Sequence, residues 1–141
     1  MKMCIVYWSG TGNTEAMANL ICEGAVSTGA DVTLKEVSSA SAADIEGADV
    51  AVFGCPSMGD EILEEDEFEP FMSSVTGLLD GKKVGLFGSY DWGDGEWMRT
   101  WESDVKKAGA HLLKEGLIVN LTPEGDDVEK CRSFGKDIAG M

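Results

Sequence analysis

The chain has 141 residues, length for one domain with a full core and little room for a second. Lys and Arg number 11 against 26 Asp and Glu, a formal net charge of −15. That balance argues against nucleic acid and anionic membrane as partners, and it suits either a cationic protein patch or a merely solvated surface. No apolar run approaches the roughly 20 residues of a membrane span, and no signal-peptide pattern opens the chain. Cytoplasm is therefore the expected location.

Strand and helix patterns alternate from end to end, which predicts an α/β domain around a mostly parallel sheet. The apolar run Met3–Trp8 predicts a buried first strand. It breaks off into hydroxyls and glycines, Ser9-Gly10-Thr11-Gly12-Asn13-Thr14-Glu15, and a helix follows with Met17, Leu20, Ile21 and Ala25 on one face. Gly29 ends that helix. Asp31–Val37 alternates weakly and predicts an edge strand; Ser38–Glu46 predicts a short helical turn or two. Ala48–Gly54 predicts a buried strand whose loop is Cys55–Leu63. Phe68, Phe71, Met72 and Val75 mark a helix that holds Pro70 in its first turn. Val84–Gly88 is the fourth strand, followed by the loop Ser89–Gly95. Trp97, Met98, Trp101, Val105 and Ala108 give the next helix. Leu112, Leu113, Leu117, Ile118 and Val119 give a last strand broken at Gly116, and Val128, Cys131, Phe134 and Ile138 give the closing helix. The count is five strands and about five helices.

A strand, a tight turn and a helix start bring backbone N–H groups together on an anion. Ser9, Thr11 and Thr14 add hydroxyls and Asn13 an amide. The turn is not a dinucleotide fingerprint, because Glu15 takes the place of the third glycine, and it is not a Walker A loop, because no Lys-Ser/Thr pair follows. With no Lys or Arg between Met3 and Lys35, one phosphate fits this loop better than three. Cys4, Cys22, Cys55 and Cys131 show no C-x-x-C spacing, and His111 is the only histidine. A zinc or iron–sulfur site and a histidine-based triad are not expected.

In an open parallel sheet, ligands bind beyond the carboxyl ends of the strands where strand order reverses. Three loops there carry special residues: the phosphate loop, Ser57-Met58-Gly59-Asp60-Glu61 after the third strand, and Ser89-Tyr90-Asp91-Trp92-Gly93 after the fourth. Met58 and Trp92 are large apolar groups in otherwise polar loops. Together they can sandwich a planar ring. One phosphate, a spacer and a planar ring describe flavin mononucleotide, FMN.

In this order the motifs resemble a short-chain flavodoxin over essentially the whole chain. They are Ile5-Val6-Tyr7-Trp8-Ser9 with the phosphate loop, Gly54-Cys55 with Met58-Gly59-Asp60-Glu61, Phe68-Glu69-Pro70-Phe71, Gly81-Lys82-Lys83-Val84, Leu86-Phe87-Gly88-Ser89-Tyr90, and Trp92-Gly93 with Gly95-Glu96-Trp97-Met98. The resemblance implies a flavodoxin-like doubly wound five-stranded parallel sheet, order 2-1-3-4-5, with helices on both faces. It implies a monomeric low-potential one-electron carrier on non-covalent FMN, one domain over residues 1–141. Ser9, Gly10, Thr11, Gly12, Asn13 and Thr14 are then expected at the phosphate, supported by Ser89. Met58 is expected on the inner ring face, Trp92 on the outer, and Glu61 at the ring N3–H. Ser57, Tyr90 and Gly93 belong to the same loops. The Gly59–Asp60 peptide is expected to flip toward N5. Redox proteins are expected to dock on the acidic run Glu61, Glu64, Glu65, Asp66, Glu67 and Glu69. A flavin-dependent enzyme or an activating flavoprotein on the same fold is the competing reading, although Trp92 would fill the space a substrate needs. A phospho-acceptor receiver wants acids after the first strand, and Tyr7-Trp8-Ser9 supplies none. The chain departs from the family pattern at Asp91, where Gly is usual.

Overall fold

The computed structural model describes residues 1–141. Strands β1 (Lys2–Tyr7), β2 (Asp31–Glu36), β3 (Val50–Gly54), β4 (Lys83–Tyr90), β5 (His111–Leu112) and β6 (Leu117–Asn120) form one parallel sheet. Helices α1 (Asn13–Val26), α2 (Ala42–Glu46), α3 (Phe68–Val75), α4 (Glu96–Lys107) and α5 (Asp126–Ala139) are the connections, with 3₁₀ turns at Val37–Ser39 and Thr76–Leu78. The order is β2-β1-β3-β4-β5, with β6 pairing β4 as well.

The fifth position is thus shared by two short segments, which accounts for the broken pattern in the sequence. The break falls at Gly116, where a methyl group would come 2.4 Å from the Met98 sulfur and where the backbone N–H donates to Glu102 Oε2 at 2.7 Å.

Side chains alternate across the sheet as a parallel sheet with two covered faces requires. Met3, Ile5, Val50, Val52 and Phe87 pack with Met17, Ile21, Phe134 and Ile138 of α1 and α5. Cys4, Val6, Ala51, Phe53, Val84 and Leu86 pack with Phe68, Met72, Trp97 and Trp101 of α3 and α4. Each large apolar side chain sealed this way contributes about 1.5–3 kcal/mol. The edge strand β2 is half-exposed, and Lys35 on it is held by Asp44 of α2 at 3.0 Å, so the open edge presents a charged pair.

The two independent requirements of this layering converge at one end. β1 ends at Tyr7 and β3 at Gly54, each running into a loop before the next helix, and β4 ends at Tyr90. The loops after these three strands therefore stand side by side above the switch point, where β1 leads to one side and β3 to the other.

Candidate flavin site

The first loop is built around Ser9. Its Oγ accepts from the backbone N–H of Gly12 at 3.1 Å and of Glu15 at 3.2 Å. With both lone pairs engaged, the hydroxyl hydrogen is left to donate outward. Gly12 precedes α1 with φ +95°, and Asn13 opens the helix, so the first-turn N–H groups face the same space. A methyl group at Gly10 would lie 2.9 Å from Trp8 Cη2, so the indole of Trp8 is the surface on which this loop rests. Thr14 is buried, and its Oγ1 meets Ser89 Oγ at 2.9 Å.

Backbone hydrogen bonds tie the loops together. Trp8 N–H donates to Gly54 O at 3.0 Å and Ser57 N–H to Ser89 O at 3.0 Å. Below them the buried Trp97 indole donates to Cys55 O at 3.2 Å, and the Tyr90 ring lies 5.9 Å from that of Trp97. Burial, chiefly, pushes the Cys55 thiol up to about 12, so it is a neutral packing group at the base of the site.

The second loop contains structure the sequence did not reveal. Met58 and Ile62 exchange backbone bonds, N–H to O, at 2.9 and 3.0 Å, closing a small hairpin over Gly59, Asp60 and Glu61. Gly59 has φ +45° and Glu61 φ +57°. The Glu61 carboxylate reaches the third loop, where Oε1 accepts from Glu96 N–H at 3.3 Å. Arg99 holds that third loop from outside, donating to Asp94 O at 2.9 Å and Asp94 Oδ1 at 3.0 Å.

A cleft of about 270 Å³ opens between the loops. Ten of the expected site residues line it: Ser9, Gly10, Thr11, Asn13, Thr14, Ser57, Met58, Ser89, Tyr90 and Asp91. Gly12 sits behind the lining and shapes it through Ser9. Gly59, Asp60 and Glu61 stand in the hairpin beside it, and Trp92 and Gly93 stand outside it, with Trp92 57 % exposed. Three lining residues were not expected: Trp8, Pro56 and Leu121. Trp8 could have been found, since a strand-terminal aromatic before a glycine turn has the turn to cover.

One expectation is corrected. Glu64 is not part of an exposed acidic rim but is only 5 % exposed. Its carboxylate accepts from Asp66, Glu67 and Phe68 N–H, each at 2.8 Å, and so caps the start of α3. Burial works to raise this carboxyl, and the three N–H bonds outweigh it, so it lies below its ordinary value.

Comparison with known proteins decides the family. A family model described as Flavodoxin matches residues 5–135. A flavodoxin from Clostridium beijerinckii is 48% identical over 140 residues, covering 99% of this chain and 100% of that protein. The chain belongs to the flavodoxin family. A second flavodoxin, from Megasphaera elsdenii, is 46% identical over 135 residues, covering 96% of each. The solution structure of two-electron reduced Megasphaera elsdenii flavodoxin superposes with a TM-score of 0.90 at 43% identity, covering 99% of both chains. Flavodoxins are FMN-binding carriers that pass electrons to redox partners, and they are not enzymes. The flavodoxin sheet order 2-1-3-4-5 is the order found here. No helix is long and apolar enough to cross a membrane.

The donor set of the cleft suits FMN. Its lining offers hydroxyls and backbone N–H groups with no Lys or Arg among them, and it also holds Trp8, Met58 and Tyr90, which are only partly buried. A monoanionic or dianionic head and a flat ring need these two kinds of wall.

Proposed function

We propose that residues 1–141 form one FMN-binding domain, with the cofactor in the cleft beyond β1, β3 and β4. What carries this reading is the Ser9 hydroxyl, whose two acceptor sites are spent on Gly12 and Glu15 N–H so that it can only donate into the cleft. In this reading Ser9, Gly10, Thr11, Gly12, Asn13 and Thr14 hold the phosphate, and Ser89 supports Thr14. Ser57 and Met58 line the inner side. Tyr90, Asp91, Trp92 and Gly93 close the outer side, where more than half of Trp92 is exposed. Glu61 exchanges its bond to Glu96 N–H for the ring N3–H, and the Gly59–Asp60 peptide supplies a carbonyl to N5. Bound FMN supplies the one-electron transfer. The protein's part is to bind, to exclude water from the inner ring face, and to present an acceptor where a proton arrives.

The exposed carboxylates Glu65, Asp66, Glu67 and Glu69 follow the hairpin directly. We read them as the rim on which a basic redox partner docks, with the protein acting as a cytoplasmic monomer. Opposite charge of this kind raises association rate more than affinity, and salt screens it over about 10 Å at 0.1 M.

Titration of the apoprotein with FMN, followed by quenching of flavin fluorescence, tests the site. Ser9→Ala is expected to weaken binding about tenfold, the value of one charge-assisted hydrogen bond. A parent protein that takes up no FMN would end the reading. For the rim, electron-transfer rate with a cationic partner should fall steeply with salt, and Glu65→Gln with Glu69→Gln should flatten that slope. An unaltered slope in the double variant would move docking elsewhere.

A further inference from the structure

We infer that Leu121 is a specificity-determining wall of the cleft, packing on the apolar ring of the bound flavin and not on its phosphate. The inference rests on the reading that this cleft is the flavin site. Only two residues other than glycine have positive φ, Glu61 at +57° and Leu121 at +59°, and of these Leu121 lines the cleft. Glu61 belongs to the hairpin already described. For Leu, which lacks the local hydrogen bonds that let Asn or Asp adopt this conformation, the position is strained. Strain of this kind persists only where the surroundings impose it, and it clusters at ligand sites.

Here the surroundings are explicit. The Leu121 N–H donates to Tyr90 O at 2.8 Å, and Asn120 Nδ2 donates to the same oxygen at 3.1 Å. On the other side Thr122 Oγ1 donates to Asn13 Oδ1 at 2.5 Å. The segment is thus pinned on one flank to the Trp92 loop and on the other to the phosphate loop. Between the pins stands an apolar side chain that is 50 % exposed and borders the cleft. It has nothing polar to offer an anion. What it offers is apolar area in a lining that also holds Trp8, Pro56, Met58 and Tyr90. A residue that cost only strain and exposed a large apolar group would have no use in the free protein, and a flat apolar ligand gives it one.

The test separates side chain, backbone and site. Leu121→Asn keeps tolerance of positive φ and removes the apolar contact; Leu121→Gly removes both side chain and strain. Apoprotein melting temperatures are measured first, and both variants are expected to melt at or above the parent. Dissociation constants follow for FMN, for riboflavin, which lacks the phosphate, and for inorganic phosphate. Both variants should bind FMN and riboflavin about tenfold more weakly, by a common factor, and phosphate with parental affinity. Parental riboflavin affinity in either variant, or an equal loss for phosphate, would overturn the inference. Ser9→Ala serves as the control on the site itself. If it weakens FMN binding while the Leu121 variants do not, only this inference falls; if no variant changes FMN binding, the cleft is not the flavin site and both readings fall.

Discussion

The Thr14 and Ser89 hydroxyls, 75 residues apart in sequence, meet at 2.9 Å in the buried floor of the cleft. They fasten the first turn of α1 to the end of β4. Ser89 N–H also approaches Thr14 Oγ1, at 3.4 Å. With Oγ1 accepting from that N–H, Thr14 can donate to Ser89, and the Ser89 hydrogen is then free for an anion. Truncating one partner strands the other without water, at a cost of about 1–3 kcal/mol. Thr14→Val and Ser89→Ala are each expected to lower apoprotein stability by about 1–2 kcal/mol, and the double variant should cost less than the sum. Urea denaturation of the four proteins measures this. Strict additivity would mean that the two hydroxyls do not depend on each other.

Glu64 makes a prediction about acid. Its carboxyl is held below the ordinary 4.5 when folded, so it contributes stability that is fully present above about 4.5 and lost as pH falls through its lower folded value. Glu64→Gln keeps the size and one acceptor oxygen but loses the charge on three N–H bonds. It is expected to cost about 1–2 kcal/mol at pH 7. The gap from the parent should close as pH falls through that lower folded value, because the parent's carboxyl then becomes neutral as well. Urea midpoints from pH 3 to pH 7 check this; a gap independent of pH would show that the charge does not hold the cap.

The contrast between Ser9 and Glu64 explains what the sequence could tell. Ser9 follows an unbroken apolar strand and precedes a helical pattern, so local rules alone marked its loop as a candidate anion site. The whole order of strands and helices was legible for the same reason, because each element carries its own period. Glu64 lies in a run of acids, Glu61 to Glu69, that reads as uniformly solvated. Which of them turns inward depends on where Phe68 is buried and how the chain enters α3. That is a tertiary fact. The Met58–Ile62 hairpin was missed because a single bridging pair leaves no alternation to read. Leu121 was missed because a positive φ at Leu is set by two loops meeting it from elsewhere, and its own side chain argues against it.

In the proposed site, Gly59 would link backbone freedom to redox potential. It has φ +45°, and a Cβ built there meets no atom within 4 Å, so space is open and the objection to a side chain is conformational. A β-branched residue disfavours this turn by about 1–2 kcal/mol and restricts the Gly59–Asp60 peptide flip. Gly59→Thr is therefore expected to lower the first one-electron potential by roughly 40–90 mV, since 1.4 kcal/mol corresponds to about 59 mV for one electron. Gly59→Ala should move it less. Spectroscopic redox titration reads both, and an unshifted first couple in the Thr variant would show that this peptide does not tune the flavin.

Asp91 lines the cleft at the position where the resemblance implies Gly. The residue is exposed, and it takes part in no ion pair; Arg99 of α4 is committed to Asp94 at 3.0 Å. In the proposed site its backbone N–H would still be available to the ring, so FMN binding should survive. With FMN held as proposed, its charge would stand near a ring that becomes anionic when fully reduced. At a separation of about 7 Å and an effective dielectric of about 40, the repulsion is roughly 1.2 kcal/mol, or about 50 mV on the second electron. The first electron arrives with a proton and adds no net charge, so it should be affected less. Asp91→Asn changes charge while keeping shape, whereas Asp91→Gly also frees the backbone. The Asn variant is expected to raise the second potential by tens of millivolts at low ionic strength, and the difference should shrink in 1 M salt, where screening acts within about 3 Å. Equal second potentials in the parent and the Asn variant at low salt would show that this carboxylate points to water and leaves the flavin untouched.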